Sequence, residues 1–330
     1  MYKGDEKIRN KIIIPVGVSV IVLSVTSVIL SLFLNGIIRF PTTDEESSKV
    51  LPDTIKLTEL GSASELEGNV TLVSVFANDS RYSWDFDDEN DISARENIFS
   101  YTKTAADWLC EQARRYNKTL DISYAGDSNS DLYYETTFDE KCLDIEKSIS
   151  KSALPEWKYI DSKIDNNAIK SKYKSDSVVY LIFINQKEEY GTVAFALSFY
   201  DRVLDYPYEI CFLPYFFAQN FISPSVIAHE ILHTFGAPDL YGYDEYKMNY
   251  DTTIEYVDYC RKNHYNEIMH STFDTSDGVI KRVYDRITND LTDITAYYIG
   301  WLDEAPAEVD EYSLVHSQHE YYRQHKQDKD

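Results

Sequence analysis

Apolar residues are spaced along this chain in three ways, and each predicts a different element. An uncharged run from 12 to 38, IIIPVGVSVIVLSVTSVILSLFLNGII, sits between Lys11 and Arg39. As a helix its 27 residues reach about 40 Å, more than the roughly 30 Å of a hydrocarbon layer, so the run predicts a membrane span. Short β-branched and aromatic runs predict strands at Val70–Ala77 (VTLVSVFA), Leu120–Tyr124 (LDISY), Val178–Ile184 (VVYLIFI), Thr192–Phe199 and Tyr208–Tyr215. Helical spacing joins Ile98, Tyr101, Ala105, Trp108, Leu109 and Gln112, in a helix opened by a Ser93–Glu96 capping box. Residues 131–172 are polar and read as partly helical.

Strand, helix, strand, helical segment, strand is the order that builds a parallel sheet, and the short links around Gly191 and Asp205 suit antiparallel additions. The fold class expected is therefore α/β (α+β), with a mixed, mostly parallel five-stranded sheet preceded by a single transmembrane helix. The chain divides into a basic segment at 1–11, an anchor at 12–38, an acidic stalk at 39–67, a folded domain at 68–303 and a polar tail at 304–330.

Charge sharpens this division. Residues 1–40 carry five cationic and two acidic side chains, a net +3, which leaves −27 on the rest of a chain whose total is −24. Such an acidic surface excludes a nucleic-acid partner. Lysines ahead of the apolar run keep the amino end in the cytoplasm and place the acidic bulk outside, with the membrane as a partner of the amino-terminal helix. A signal peptide cut near Thr26 and Ser27, giving a secreted protein, is the competing reading. All four cysteines, Cys110, Cys142, Cys211 and Cys260, lie beyond the run and could pair in an oxidising compartment. Neighbour pairing, Cys110 with Cys142 and Cys211 with Cys260, is the expectation, against free thiols used as small core residues. No C-x-x-C spacing points to a cysteine-built metal site.

The chemistry concentrates in SVIAHEILHTFGAPDLYGYD, which follows Ser223 and Pro224, a suitable cap and first position for a helix. His229, Glu230 and His233 form H-E-x-x-H, and residues four apart share one helical face, so both imidazoles reach one metal ion. Glu230 is placed to take a proton from a water at that ion. Gly236 tolerates the left-handed turn that ends a helix, and Asp239, three residues on, is swung back as third ligand. Two histidines and one carboxylate also resemble the facial triad of non-haem iron enzymes, but the helical spacing with its intervening acid favours zinc. The competing reading of the motif is an amphipathic helix with its polar residues in solvent.

The run H-E-I-L-H-T-F-G-A-P-D-L-Y resembles the metzincin-type zinc metallopeptidases whose third ligand is Asp, such as snapalysin and the immune-inhibitor-A-type secreted bacterial proteases. N-E-I-M-H-S at 266–271 is similar to the methionine turn of that group, with Met269 as its methionine, and 291–303 (LTDITAYYIGWLD) to the helix that follows. An ordinary core methionine is the competing reading of Met269. The resemblance implies a metzincin-like fold, one catalytic zinc ion on His229, His233 and Asp239, Glu230 as catalytic base, and a protein or peptide substrate. Related enzymes carry Tyr two places after the methionine, where this chain has Ser271.

The expected function is thus a membrane-anchored, extracytoplasmic zinc endopeptidase. The alternative is a catalytically silent zinc-binding ectodomain acting as a binding or signalling module. Two weaker features remain. Asp85, Asp87, Asp88, Glu89 and Asp91 offer carboxylates to calcium but lack the glycine of an EF-hand loop, so a solvated acidic loop is the simpler reading. His316, His319 and His325 could offer a second metal site, but a polar, partly ordered tail is the simpler reading.

Overall fold

In the computed structural model, the described residues are 65–126, 128–142, 154–186, 195–197, 208–217, 220–241, 253–275, 279–314, 316–317 and 319–320. The basic segment, the apolar run 12–38 and most of the stalk lie outside them, and among the described residues no helix is long and apolar enough to cross a membrane.

The sheet is built around β1 (Gly68–Asn78). One edge of β1 pairs in parallel with β4 (Ser177–Ile184). Its other edge takes two strands end to end: β2 (Leu120–Tyr124) beside residues 68–72 and β3 (Tyr133–Thr137) beside 74–78, both parallel. β6 (Glu209–Pro214) lies parallel to β4, and β5 (Phe195–Leu197) closes the far edge antiparallel to β6. β7 (Phe216–Phe217) and β8 (Asn220–Phe221) form a separate small hairpin. The sheet is therefore mostly parallel and five positions wide, as expected, but two details differ. β3 emerges from the polar stretch read as helical, because YYETT is only partly buried and carries no apolar run. β6 is parallel, because β5 hops past it to the edge and leaves the place beside β4 open.

Alternate residues of the strands feed two apolar layers, as a sheet covered on both faces requires. Leu72, Phe76, Val179, Leu181, Phe183, Cys211 and Leu213 face one layer. Val73, Val75, Val178, Tyr180, Ile182, Ile210 and Phe212 face the other, where α2 (Leu154–Lys163) and α3 (Asn166–Tyr173) bring Trp157, Ile160 and Ile169. On the first face lie α1 (Glu89–Arg115) and α4 (Pro224–Thr234), with α5 (Ile254–Asn263) and α6 (Asp293–Tyr298) joining the same layer. α1 opens four residues ahead of Ser93. The Asp88 carboxylate accepts from the Asn90 and Asp91 amides and fixes the start there, while Ser93 is an exposed residue inside the helix. The expected inward face holds: Ile98, Ala105, Trp108, Leu109 and Gln112 are buried, Thr102 joins them, and Tyr101 is half-buried.

The expected disulfides are absent: all four cysteines are free. Cys142 packs in the α2–α3 layer, whereas Cys110, Cys211 and Cys260 belong to the α1–α4 layer, so the sheet separates Cys110 from Cys142. Cys211 lies on β6 and Cys260 on α5. Burial pushes the Cys260 thiol up to about 12 and holds Cys142 and Cys211 well above the usual range.

Packing extends past both boundaries read from the sequence. Leu66 is fully buried, donating its amide to the Ile299 carbonyl and accepting from the Trp301 indole. Beyond residue 303, α7 (Ala307–Glu311) buries Val309, and Leu314, Ser317 and His319 are buried too.

Candidate metal centre

α4 begins at Pro224, whose ring presets the first helical turn and whose missing amide hydrogen costs nothing there. Almost every residue of this helix is buried, His229 and Glu230 at 3% and 4% exposure, so it is no surface helix with its polar side chains in water. Phe235 ends it, and Gly236 follows at φ +104. A Cβ there would stand 3.0 Å from the Tyr298 carbonyl oxygen, so both the backbone angle and the space select glycine. The turn continues through the Ala237 amide, which donates to the Leu232 carbonyl at 3.2 Å, and delivers Asp239 to the histidines.

Three ligand atoms then converge. His229 Nε2 and His233 Nε2 lie 3.0 Å apart, and Asp239 Oδ1 is 3.3 Å from the first and 3.1 Å from the second. The opposite ring nitrogens are committed elsewhere: His229 Nδ1 donates to the Ile268 carbonyl at 2.9 Å and His233 Nδ1 to the Ala237 carbonyl at 2.7 Å. With hydrogens on both Nδ1 atoms, the neutral rings aim two Nε2 lone pairs at one point, an arrangement that a cation makes favourable. His229, His233 and Asp239 are thus a group that can hold a metal ion, and among the described residues no second cluster of three such side chains brings its ligand atoms together.

The electrostatics at this point favour positive charge. Burial opposes charge on His233, yet Asp239 beside it, through its field and hydrogen bond, lifts the imidazole to about 9. Asp239 is partly exposed; desolvation pushes its carboxyl up, but the two histidines outweigh this and hold it far below the usual range. Burial pushes Glu230 up against the attraction of His229 and His233. Its Oε2 is buried with no hydrogen-bond partner among the described residues. A buried orphan oxygen beside three convergent donors fits a site built for a cation and a water.

Under this site runs the turn predicted at 266–271. Met269 is fully buried, and its carbonyl accepts the Leu240 amide at 2.9 Å. His270 Nδ1 donates to the Leu240 carbonyl at 3.0 Å, so His270 braces the loop after Asp239. The Tyr241 ring lies nearly parallel to His229, centroids 6.1 Å apart. Ser271 belongs to the turn: its hydroxyl accepts from the Phe273 amide at 3.3 Å and its own amide donates to the Glu267 carbonyl. The following helix is shorter than 291–303, running Asp293–Tyr298 before Gly300 at φ +86 breaks it.

The structural roles of two residues here were not read from the sequence. Glu267 is buried, accepting from the Met269 amide at 2.5 Å, the His270 amide at 3.1 Å and the Thr295 hydroxyl at 2.6 Å. Burial outweighs these bonds and pushes its carboxyl up to about 7. An acid two places before Met269 was the only trace of it. His319, placed in the polar tail, is buried and donates from Nε2 to the Phe235 carbonyl at 2.8 Å, capping the end of α4. His316 lies among Asp310 and Glu320, and His325 is outside the described residues. The acidic loop serves α1: Asp88 caps it, and Asp91 accepts from the Asp85 amide and from Asn185. Compared with protein-family models and with curated proteins, the chain matches none.

Proposed function

We propose that this chain is a zinc-dependent endopeptidase of metzincin type, carried outside the membrane on the apolar segment 12–38 and acting on protein or peptide substrates. The observation that carries the proposal is the meeting of His229, His233 and Asp239 at 3.0–3.3 Å beside the unpartnered buried oxygen of Glu230. Those spacings suit neighbouring ligands around one ion with bonds of about 2 Å. Zinc is favoured over iron by the H-E-x-x-H helix, which sets an acid next to the first ligand.

Zinc held by these three residues would act as a Lewis acid towards water and towards a peptide carbonyl. The chain's own residues do the rest. Carbonyls of Ile268 and Ala237 fix both imidazoles with Nε2 presented inward. Glu230, made more basic by burial, accepts the proton of the attacking water and passes it to the leaving amine.

One specific feature favours the alternative of a silent zinc-binding ectodomain: Ser271, whose side chain is far shorter than a tyrosine's, occupies the place of the tyrosine that would hold the oxyanion. Elemental analysis and proteolysis assays on the purified full-length chain separate the readings. We expect one zinc per chain, lost in His233→Ala, and cleavage of an unfolded protein substrate that falls about 10²–10⁴-fold in Glu230→Ala with zinc retained. Iron in place of zinc, or undiminished cleavage by Glu230→Ala, overturns the proposal; zinc without any cleavage by the wild type selects the silent module.

A further inference from the structure

We propose that Glu267 is a positioning residue for the metal centre, holding through one turn the two ligands that come from different parts of the chain; this rests on the metal-centre reading above. The turn from Glu267 to Ser271 touches both. Its Ile268 carbonyl accepts the Nδ1 hydrogen of His229, which sits on α4. Its Met269 carbonyl accepts the amide of Leu240, the residue directly after Asp239, and His270 bonds the Leu240 carbonyl. The orientation of one helix-borne imidazole and the path of the loop carrying the carboxylate therefore depend on the carbonyl directions of two adjacent residues.

Glu267 sets those directions. One carboxyl oxygen accepts both the Met269 and His270 amides, and the other accepts the Thr295 hydroxyl on α6, so a single buried side chain ties the turn to a packed helix. The amide of Met269 belongs to the same peptide unit as the Ile268 carbonyl, and the amide of His270 to the same unit as that of Met269. Because a peptide unit is planar, gripping its N–H aims its C=O. The backbone shares the second grip, because the His270 amide also donates to the Glu267 main-chain carbonyl at 3.0 Å, and the Ile268 amide donates to the Asp290 carbonyl at 2.9 Å; neither bond orients the carbonyl of Ile268, which the Glu267 carboxylate aims through the Met269 amide. Glu267 thus stands one bond behind the partner of a metal ligand, where outer contacts change metal affinity about 10–100-fold.

The test is zinc affinity of the full-length chain by chelator competition, read together with the thermal midpoint of the metal-free protein. Glu267→Ala should weaken zinc binding about 10–100-fold, and Glu267→Asp, one methylene too short to span turn and helix, about 10-fold. Glu267→Gln keeps an oxygen for the two amides and an amino group for a rotated Thr295 hydroxyl, and should bind zinc within about threefold of wild type. Ile160→Val, in the layer on the far face of the sheet, serves as the control, lowering the midpoint without moving zinc affinity. If Glu267→Ala does not fold, Glu267→Asp carries the measurement. Folded Ala or Asp variants with wild-type affinity overturn the positioning role while leaving the metal centre intact, as does a Gln variant as weak as Ala. Failure of the wild type to bind zinc overturns the metal-centre reading itself and the proposal with it.

Discussion

At the scale of single residues, Gly236 shows how closely the site depends on backbone geometry. It stands between His233 and Asp239 at φ +104, with the Tyr298 carbonyl where a Cβ would go. An alanine there meets two penalties: a left-handed backbone that L side chains avoid, and contact with a carbonyl held in a packed helix. We expect Gly236→Ala to cost about 1–3 kcal/mol of stability, measured by urea unfolding of the metal-free chain, with weaker zinc binding because Asp239 is displaced. A midpoint unchanged from wild type would show that the turn can be made without the glycine. This residue was legible in the sequence, as were His229, Glu230, His233 and Asp239, because all five lie within eleven positions on one helix and its exit. Glu267 was not, since its function is to join its own turn to Thr295, a contact across 28 positions that local spacing does not reveal.

Among the elements, the strands rich in β-branched and aromatic residues were legible, β1, β2, β4 and β6 falling within two residues of their expected limits. Periodicity reports burial: β4 and β6 are buried throughout, β1 nearly so, and β2 buries alternate residues, Leu120 and Ile122. β3 escaped because it lies on the sheet's margin beside one end of β1, half-covered and polar, where pairing with the backbone holds it more than side-chain packing does. The start of α1 was misplaced for another reason. Two acceptable caps compete there, and the structure uses the earlier, Asp88, with Glu89 and Asp91 in the first turn where the helix dipole favours negative charge. Asp91 is also buried against Asn185, a contact that a helix opening at Ser93 would leave in a loop. Asp88→Ala should therefore destabilise the protein by about 1 kcal/mol, seen as a lower urea midpoint with unchanged slope. Ser93→Ala serves as the comparison and should leave the midpoint in place, because that serine is an exposed interior position; a larger loss from Ser93→Ala would move the cap back.

Across the whole molecule, the acidic exterior and the buried centre follow different rules, and the tail crosses from one to the other. Its composition is polar, which led to an expectation of a partly ordered tail, yet His319 closes over the exit of α4 while Ser317 and Glu320 hold Tyr297 of α6. His319 donates to the Phe235 carbonyl, the Ser317 amide donates to the Tyr297 hydroxyl at 3.0 Å, and that hydroxyl in turn bonds the Glu320 carboxylate. Phe235 immediately precedes Gly236, so this contact secures the helix end from which the loop to Asp239 departs. Removing everything after Leu314 would strip a buried carbonyl and a buried phenol of their partners, each loss costing about 1–3 kcal/mol. Water entering the uncovered helix end would offset part of that cost, so the net loss should be nearer about 2 kcal/mol than the sum. The expected outcome is a folded, truncated chain with a lower urea midpoint and weaker zinc binding, the second effect arising because a loosened helix end lets His233 and Asp239 drift apart. His319→Gln in the full chain separates the single contact from the rest of the tail: it keeps a donor near the Phe235 carbonyl and should recover most of the zinc affinity. A truncated chain with wild-type midpoint and affinity would return the tail to the polar, partly ordered role its composition suggested.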